Sequence, residues 1–169
     1  MERNEELREQ FRETIDSYPP YKLYYVDEMG IEEHLYREYA WSDGIPIVEK
    51  VRGKKFKRTN AVAAKSIDKI IAPMVYDCST DAVLFEYWFE YALLKSIPKY
   101  SIIIMDNASF HRKAKLRELS QKSDCEVLFL PPYSPDLNLI EKYWPLVKGK
   151  LRKILPQYDC FDKAFMDCF

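Results

Sequence analysis

The chain has 169 residues, about the length of one domain and enough to bury a hydrophobic core. Hydrophobic residues make up 47% of it and aromatic residues 15%, a composition that excludes a disordered chain. Its apolar stretches are shorter than the roughly 18 residues needed to span a membrane, and the first residues are too polar for a signal peptide. We therefore expect a cytoplasmic protein with no membrane partner.

The formal net charge of −1 is unevenly distributed along the chain. Residues 1–16 carry six acids and three bases, whereas residues 49–69 carry eight bases and two acids. Residues 112–153 carry ten bases and five acids. Local basic segments attract phosphate groups even where the total charge is near zero. This distribution predicts a modest affinity for DNA when the chain acts alone.

Hydrophobic periodicity predicts the elements in chain order. Leu7, Phe11 and Ile15, spaced four apart, predict an amphipathic N-terminal helix over about residues 3–17. A strand at 22–27 and a loop or irregular strand follow. The later predicted elements are strands at 59–65 and 69–76, a helix at 81–96, a strand at 101–106, a helix at 111–122, a strand at 126–130, a helix at 138–153 and a short helix at 160–169. This order predicts one α/β domain over residues 1–169, with a mixed five-stranded sheet flanked by helices.

Three acidic residues close or follow apolar runs typical of strands. Asp27 follows the run 23–26, Asp106 follows the run 102–105, and Glu141 lies beyond the run 127–130 and a proline-rich turn. Ligands in open α/β sheets bind at the carboxyl ends of strands. Magnesium prefers oxygen ligands, and two ions roughly 3.5–4 Å apart can serve an in-line displacement at phosphorus. These carboxylates therefore predict a magnesium-dependent phosphoryl-transfer site, in which Asp27 on the central strand is shared by both ions.

The segments around these acids resemble the three catalytic blocks of DDE transposases. The blocks are Val26-Asp27-Glu28, residues 105–111 (MDNASFH) and residues 130–141 (LPPYSPDLNLIE). The most similar group is the mariner-like bacterial insertion sequences of the six-thirty group. The 34 residues between Asp106 and Glu141 match the spacing of that superfamily. The resemblance extends over about residues 21–169.

This resemblance implies a ribonuclease H-like fold and a DNA endonuclease and strand transferase. It implies that Asp27, Asp106 and Glu141 are both the catalytic residues and the ligands of two Mg²⁺ ions, with Mn²⁺ as a substitute. The implied partners are double-stranded DNA, at the element ends and at a TA target, and a second copy of the chain bound to that DNA. By this resemblance to the catalytic half alone, we expect the chain to lack the family's N-terminal helix-turn-helix domains. A separate polypeptide from an upstream reading frame is therefore an implied partner, and the chain is expected at the nucleoid.

Polar residues beside the three acids carry further interpretations. Glu28 should face the opposite side of the sheet from Asp27, because side chains alternate along a strand. Asp136 and Asn138 are interpreted as caps of the helix at 138–153. Asn107 either braces its loop or lies near the phosphate. His111 either orients the scissile phosphate or a water, or hydrogen-bonds to backbone at a helix start.

Two basic segments are candidates for DNA contact. The first is a basic turn between two strands. The second follows Glu141 on the predicted helix, and its basic residues either contact the DNA backbone or simply form a solvated helix face. The full set of predicted DNA-binding residues is Arg52, Lys54, Lys55, Lys57, Arg58, Asn107, His111 and Lys142. Tyr143 and Trp144 are interpreted as core residues rather than base-stacking residues.

Two other functions are compatible with parts of the sequence. A transposase remnant could dimerise or occupy DNA as a regulator without catalysis, an interpretation that the missing DNA-reading domain favours. A ribonuclease H-type nuclease would share the metal chemistry but not the proline-rich third block.

Overall fold

A computed structural model describes residues 4–32, 40–42, 45–47 and 58–169 of the chain. The helices are α1 (Glu5–Asp16), α2 (Ala82–Trp88), α3 (Leu94–Ser96), α4 (Lys113–Lys122), α5 (Trp144–Ile154) and α6 (Phe161–Met166). The strands are β1 (Leu23–Glu32), β2 (Ala40–Ser42), β3 (Ile45–Ile47), β4 (Arg58–Lys65), β5 (Ile70–Tyr76), β6 (Ile102–Met105) and β7 (Glu126–Phe129). A π-helical turn (Phe89–Leu93) joins α2 to α3. None of the helices in these described segments is long and apolar enough to cross a membrane.

Five strands form the central sheet, in the order β5-β4-β1-β6-β7. The β5-β4 and β4-β1 pairs are antiparallel, and the β1-β6 and β6-β7 pairs are parallel. β2 and β3 form a separate two-stranded sheet. The predicted mixed five-stranded sheet and the predicted order of its elements are therefore confirmed, with β1 at the centre.

The predicted end of the first strand at residue 27 is wrong, because β1 continues to Glu32. Its parallel pairing with β6 stops at Tyr25, opposite Ile104. Its antiparallel pairing with β4 continues as far as Glu32, opposite Arg58, and supplies the backbone hydrogen bonds that keep the strand extended. Asp27 thus lies in mid-strand, just beyond the point where β6 ends.

The sheet is covered by helices on both faces. Side chains of one face, including Tyr24 and Val26 of β1, pack with the aromatic residues of α2 and its π-helical turn and with α4. The alternate residues of β1, including Tyr25 and Met29, pack with Val147 of α5 and with α6 on the other face. The strict alternation along β1 determines which layer each of its polar residues approaches.

Helix α1 packs on the face that carries α5 and α6. The Asn4 side chain caps it by accepting a hydrogen bond from the Leu7 backbone amide at 3.1 Å. Phe11 and Ile15 pack against that core, as their spacing predicts. Leu7 was expected on the same face but is 45% exposed, because the helix turns buried Arg8 toward the protein instead.

The helix predicted at 138–153 begins later than expected. Two 3-10 helical turns, Pro135–Leu137 and Leu139–Lys142, precede α5. Pro145 stands in the first turn of α5, where the missing backbone N–H of proline costs nothing. Glu141 therefore lies in a 3-10 turn rather than on the α-helix.

Candidate active site

Asp27 is the most buried of the three candidate carboxylates. Its Oδ2 accepts a hydrogen bond from the Trp144 indole Nε1 at 2.7 Å. Burial raises the pKa of Asp27 to about 8, the charges of Glu141 and Glu28 add to this effect, and the Trp144 hydrogen bond opposes it. Burial and the neighbouring carboxylates therefore favour the protonated form of Asp27 in the metal-free protein.

Asp106 stands directly after β6, at the carboxyl end of that strand as predicted. Its Oδ1 accepts a hydrogen bond from the Ala108 backbone amide at 3.0 Å, and its side chain is 49% exposed. The neighbouring Asn107 donates its side-chain amide to the Leu130 carbonyl. Asn107 thus ties the loop after β6 to the loop after β7, as the bracing interpretation expects. Asn107 also lines the same groove as Asp106, and its predicted contact with DNA stays a prediction.

Glu141 is exposed, and its position depends on Asn138. The Glu141 backbone amide donates to the Asn138 carbonyl at 3.1 Å. The buried Asn138 side chain donates to the Val26 carbonyl at 3.0 Å. It makes no capping hydrogen bond to the 3-10 turn Leu139–Lys142 or to α5, so the predicted capping role of this side chain is wrong. Asn138 thereby connects the turn that carries Glu141 to the residue before Asp27.

The three carboxylates line one groove of about 280 Å³ at the edge of the sheet. Asp27 comes from β1, Asp106 from the end of β6, and Glu141 from the turns that follow β7. The rest of the lining is largely apolar and comes mainly from the segment 130–135. Three separate segments thus bring their acidic groups to a single concave surface.

Glu28 lies on the other face of β1, as predicted, and contacts His111 there. His111 Nε2 is 3.4 Å from Glu28 Oε1. His111 Nδ1 is 3.3 Å from the Asp106 carbonyl oxygen and 3.5 Å from Asp106 Oδ1. The His111 ring therefore contacts both Glu28 and Asp106, and ligand atoms of these three residues lie within 4.8 Å of one another. The sequence pattern did not indicate this grouping.

The His111 side chain is only 1% exposed. Its ring centroid lies 4.3 Å from that of Phe85 and 4.5 Å from that of Phe110. The residue precedes α4 rather than beginning it. The predicted contact of His111 with DNA stays a prediction, and in the structure its ring is enclosed by aromatic residues and acidic groups.

Asp136 accepts hydrogen bonds from Arg8, at 3.1 Å from Nη1 and 2.6 Å from Nη2. The predicted role of Asp136 as a helix cap is therefore wrong, because its carboxylate faces α1 instead. A buried arginine pairs with an acid to avoid an isolated charge. The Arg8–Asp136 pair attaches α1 to the proline-rich loop of the groove. In the sequence, this pair is indicated only by a charged residue, Arg8, between the apolar positions of α1.

The predicted basic contacts are only partly described. Arg52, Lys54, Lys55 and Lys57 lie outside the described residues. Arg58 is exposed at the start of β4, and its guanidinium occupies the space that a Cβ on Gly30 would take. Lys142 is exposed next to Glu141, while Lys148 lines a depression that also includes Asp27, Glu28 and Glu141.

A family model described as DDE superfamily endonuclease matches residues 22–163. The chain belongs to this family, as the catalytic blocks in its sequence predict. A comparison with curated proteins finds no match.

Solved structures show the same fold. The Mos1 transposase paired-end complex with left transposon end has a TM-score of 0.66 and 19% identity, covering 99% of this chain and 59% of that chain. The Mos1 transposase catalytic domain with raltegravir and Mg has a TM-score of 0.64 and 18% identity, covering 99% of this chain and 83% of that chain. The catalytic core domain of BIV integrase has a TM-score of 0.56 and 12% identity, covering 88% of this chain and 80% of that chain. The predicted ribonuclease H-like fold is thereby confirmed, in a chain that spans 59% of the length of the Mos1 chain in the paired-end complex.

Proposed function

We propose that this chain is the catalytic domain of a transposase that cleaves DNA strands and joins the freed 3′ end to target DNA. The observation that carries the proposal is the single groove lined by Asp27, Asp106 and Glu141. Membership of the DDE endonuclease family supports the same chemistry. We also propose insertion at TA dinucleotides, which is supported only by the resemblance of the catalytic blocks to those of the family.

The three carboxylates fit a divalent cation. Their oxygens are the ligands that Mg²⁺ prefers, and Mn²⁺ accepts the same donors. Crowding of Asp27 with Glu141 and Glu28 adds to the rise in its pKa, so a cation in the groove would offset a repulsion that is already present. Two ions would activate the attacking oxygen and stabilise the leaving oxygen. The Mg in the Mos1 catalytic domain structure supports this assignment.

Each carboxylate has a different setting for this role. Asp27 lies on the central strand and accepts a hydrogen bond from Trp144 of α5. It would release its proton when a cation binds. Asp106 is fixed by the Ala108 amide and by contact with His111. Glu141 is exposed on a short turn and is the least constrained of the three by side-chain contacts. We therefore propose that Asp27 would be the carboxylate shared by two cations.

The proposed partner is double-stranded DNA, both at element ends and at the target. Exposed Lys142 and half-buried Lys148 lie beside the carboxylates, where a DNA backbone would approach. The Mos1 complex with a transposon end supports this partner. We also propose a homodimer on DNA, a helix-turn-helix module supplied by a separate polypeptide, and a cytoplasmic, nucleoid-associated location.

A strand-nicking and strand-transfer assay tests the proposal. Labelled duplex DNA and supercoiled plasmid would be incubated with the chain in Mg²⁺, in Mn²⁺ and in EDTA, with and without the upstream helix-turn-helix polypeptide. Glu141→Gln should abolish nicking, whereas Asp159→Asn, an exposed acid outside the groove, should not change it. Nicking that persists in EDTA or in Glu141→Gln would contradict the proposal. A folded wild-type chain that cuts no DNA in either metal would favour the regulatory remnant instead.

A further inference from the structure

The groove has an apolar wall as well as an acidic one. Pro131, Pro132 and Tyr133 line it on the side of the loop after β7. Tyr133 is 61% exposed, so its ring is available to a ligand in the groove. An acidic wall for cations next to an aromatic wall matches a nucleotide, which presents a phosphate and a flat base face side by side.

The loop that carries Tyr133 is held at several points. The hydroxyl of buried Ser134 donates to the Pro132 carbonyl at 3.2 Å. Asn107 donates to the Leu130 carbonyl at the start of the loop. Each proline ring also fixes one backbone dihedral of the loop. The Tyr133 ring is therefore presented by a constrained loop rather than by a free chain.

No lysine or arginine lines this groove in the part of the chain that the structure describes. The described residues that line the groove therefore offer DNA no ion pair from a basic side chain. Stacking of a base on an aromatic ring supplies binding free energy without charge and tolerates any sequence. Tyr133 is the aromatic residue that the groove offers for this contact.

We propose that Tyr133 stacks on the nucleobase next to the scissile phosphate and so positions that phosphate at the carboxylates. This inference rests on the proposed function, since it assumes that the phosphate binds at Asp27, Asp106 and Glu141. It assigns Tyr133 a substrate-binding role and predicts little base specificity at the stacked position.

Location distinguishes Tyr133 from a second tyrosine with the same local properties. Tyr100 is 67% exposed and has a φ of 64°, compared with 61% and 56° for Tyr133. Tyr100 precedes β6, at the end of the sheet opposite to Asp106. The two tyrosines share exposure and a left-handed backbone, so the proposal depends on the position of Tyr133 in the groove. Tyr100 is therefore a matched control.

The test compares Tyr133→Ala, Tyr133→Phe and Tyr100→Ala, each checked for folding by circular dichroism. Binding and nicking would be measured on duplexes with a normal or an abasic nucleotide beside the scissile phosphate. On normal DNA, Tyr133→Ala should weaken binding by about 5- to 150-fold, while Tyr133→Phe and Tyr100→Ala keep wild-type binding. The salt dependence of binding should stay unchanged in Tyr133→Ala, because no phosphate contact is lost.

The abasic duplex separates stacking from a structural role of the residue. On that DNA, wild type and Tyr133→Ala should bind equally, since the base that would stack is already missing. An equal loss in Tyr133→Ala on both duplexes, or no loss on normal DNA, would overturn the inference. In either case wild-type nicking that requires metal and Glu141 would leave the proposed function standing. Absence of nicking by the wild-type chain would instead count against the proposed function itself.

Discussion

The indole Nε1 of Trp144 donates a hydrogen bond to Asp27 Oδ2 across 2.7 Å. This contact joins the first residue of α5 to the central strand of the sheet. Trp144 is 4% exposed, and its ring also meets Phe169 edge-on at 6.3 Å between centroids. A buried indole N–H needs an acceptor, and here the acceptor is a proposed metal ligand. The helix that follows the third catalytic block therefore orients the carboxylate of the first.

Trp144→Phe should weaken metal binding without unfolding the protein. Phenylalanine keeps an aromatic ring in the core but cannot donate to Asp27, so the carboxylate loses its fixed orientation. Removing such a supporting hydrogen bond typically costs about 10- to 100-fold in metal affinity or activity. The measurement is the Mg²⁺ concentration that gives half-maximal nicking. A midpoint equal to that of wild type would show that Trp144 only fills space.

The stability of the metal-free protein should depend on the ionisation of Asp27. The folded pKa of about 8 lies above the ordinary value of 3.8. Between these pH values the folded protein keeps a proton that the unfolded chain has released. Linkage then requires this contribution to stability to be complete below pH 3.8, to fall as pH rises, and to be lost above about pH 8. The total change is on the order of 5 kcal/mol.

Asp27→Asn isolates that contribution, because asparagine stays neutral at every pH in this range. Urea unfolding of both proteins in EDTA, at about pH 5, 7 and 9, measures the difference in their free energies of unfolding. The variant should gain stability relative to wild type as pH rises. A constant difference across the three pH values would show that Asp27 titrates normally.

His111→Phe should lower nicking by about 10- to 100-fold while the protein stays folded. The aromatic surroundings formed by Phe85 and Phe110 can accept another ring, but both contacts with the acids are lost. His111→Asn, which keeps one polar contact in a smaller side chain, should retain more activity. Steady-state kinetics should place the loss in kcat rather than KM, because the ring is buried. Equal activity of the phenylalanine variant and wild type would remove His111 from the site.

Arg8→Met should loosen both α1 and the proline-rich loop, since the Arg8–Asp136 pair connects them. Hydrogen exchange should become faster in residues 5–16 and 131–138 together. Arg12→Met is the matched control, because Arg12 pairs with Glu9 within the same helix and is more exposed. Unchanged exchange in the loop would show that α1 does not support the groove.

Local patterns were sufficient to predict the sheet but not its side-chain connections. Buried parallel strands such as β6 read as short apolar runs, so their positions could be predicted. β1 was predicted too short because Glu28 and Gly30 interrupt its apolar pattern, while its continuation depends on pairing with β4. The start of α5 was misplaced because the 3-10 turns before it share the spacing of a helix.

The contacts that organise the groove join residues far apart in the chain. Trp144 and Asp27 are 117 residues apart, and Arg8 and Asp136 are 128 residues apart. No local periodicity encodes such pairs, because they depend on how helices pack on the finished sheet. The meeting of the three acids in one groove could be predicted because each follows a strand-like run. The residues that contact them became apparent only in the fold.

We propose that Asp27, Asp106 and Glu141 together hold divalent cations. Mn²⁺ binding followed by electron paramagnetic resonance measures this property itself. The free Mn²⁺ signal would be titrated against wild type, Asp27→Asn, Asp106→Asn and Glu141→Gln in the presence of duplex DNA, with Asp159→Asn as control. We expect wild type and the control to bind Mn²⁺ alike and each of the three groove variants to bind it at least about 10-fold more weakly. Wild-type Mn²⁺ binding in any of the three groove variants would show that the residue replaced is not a metal ligand.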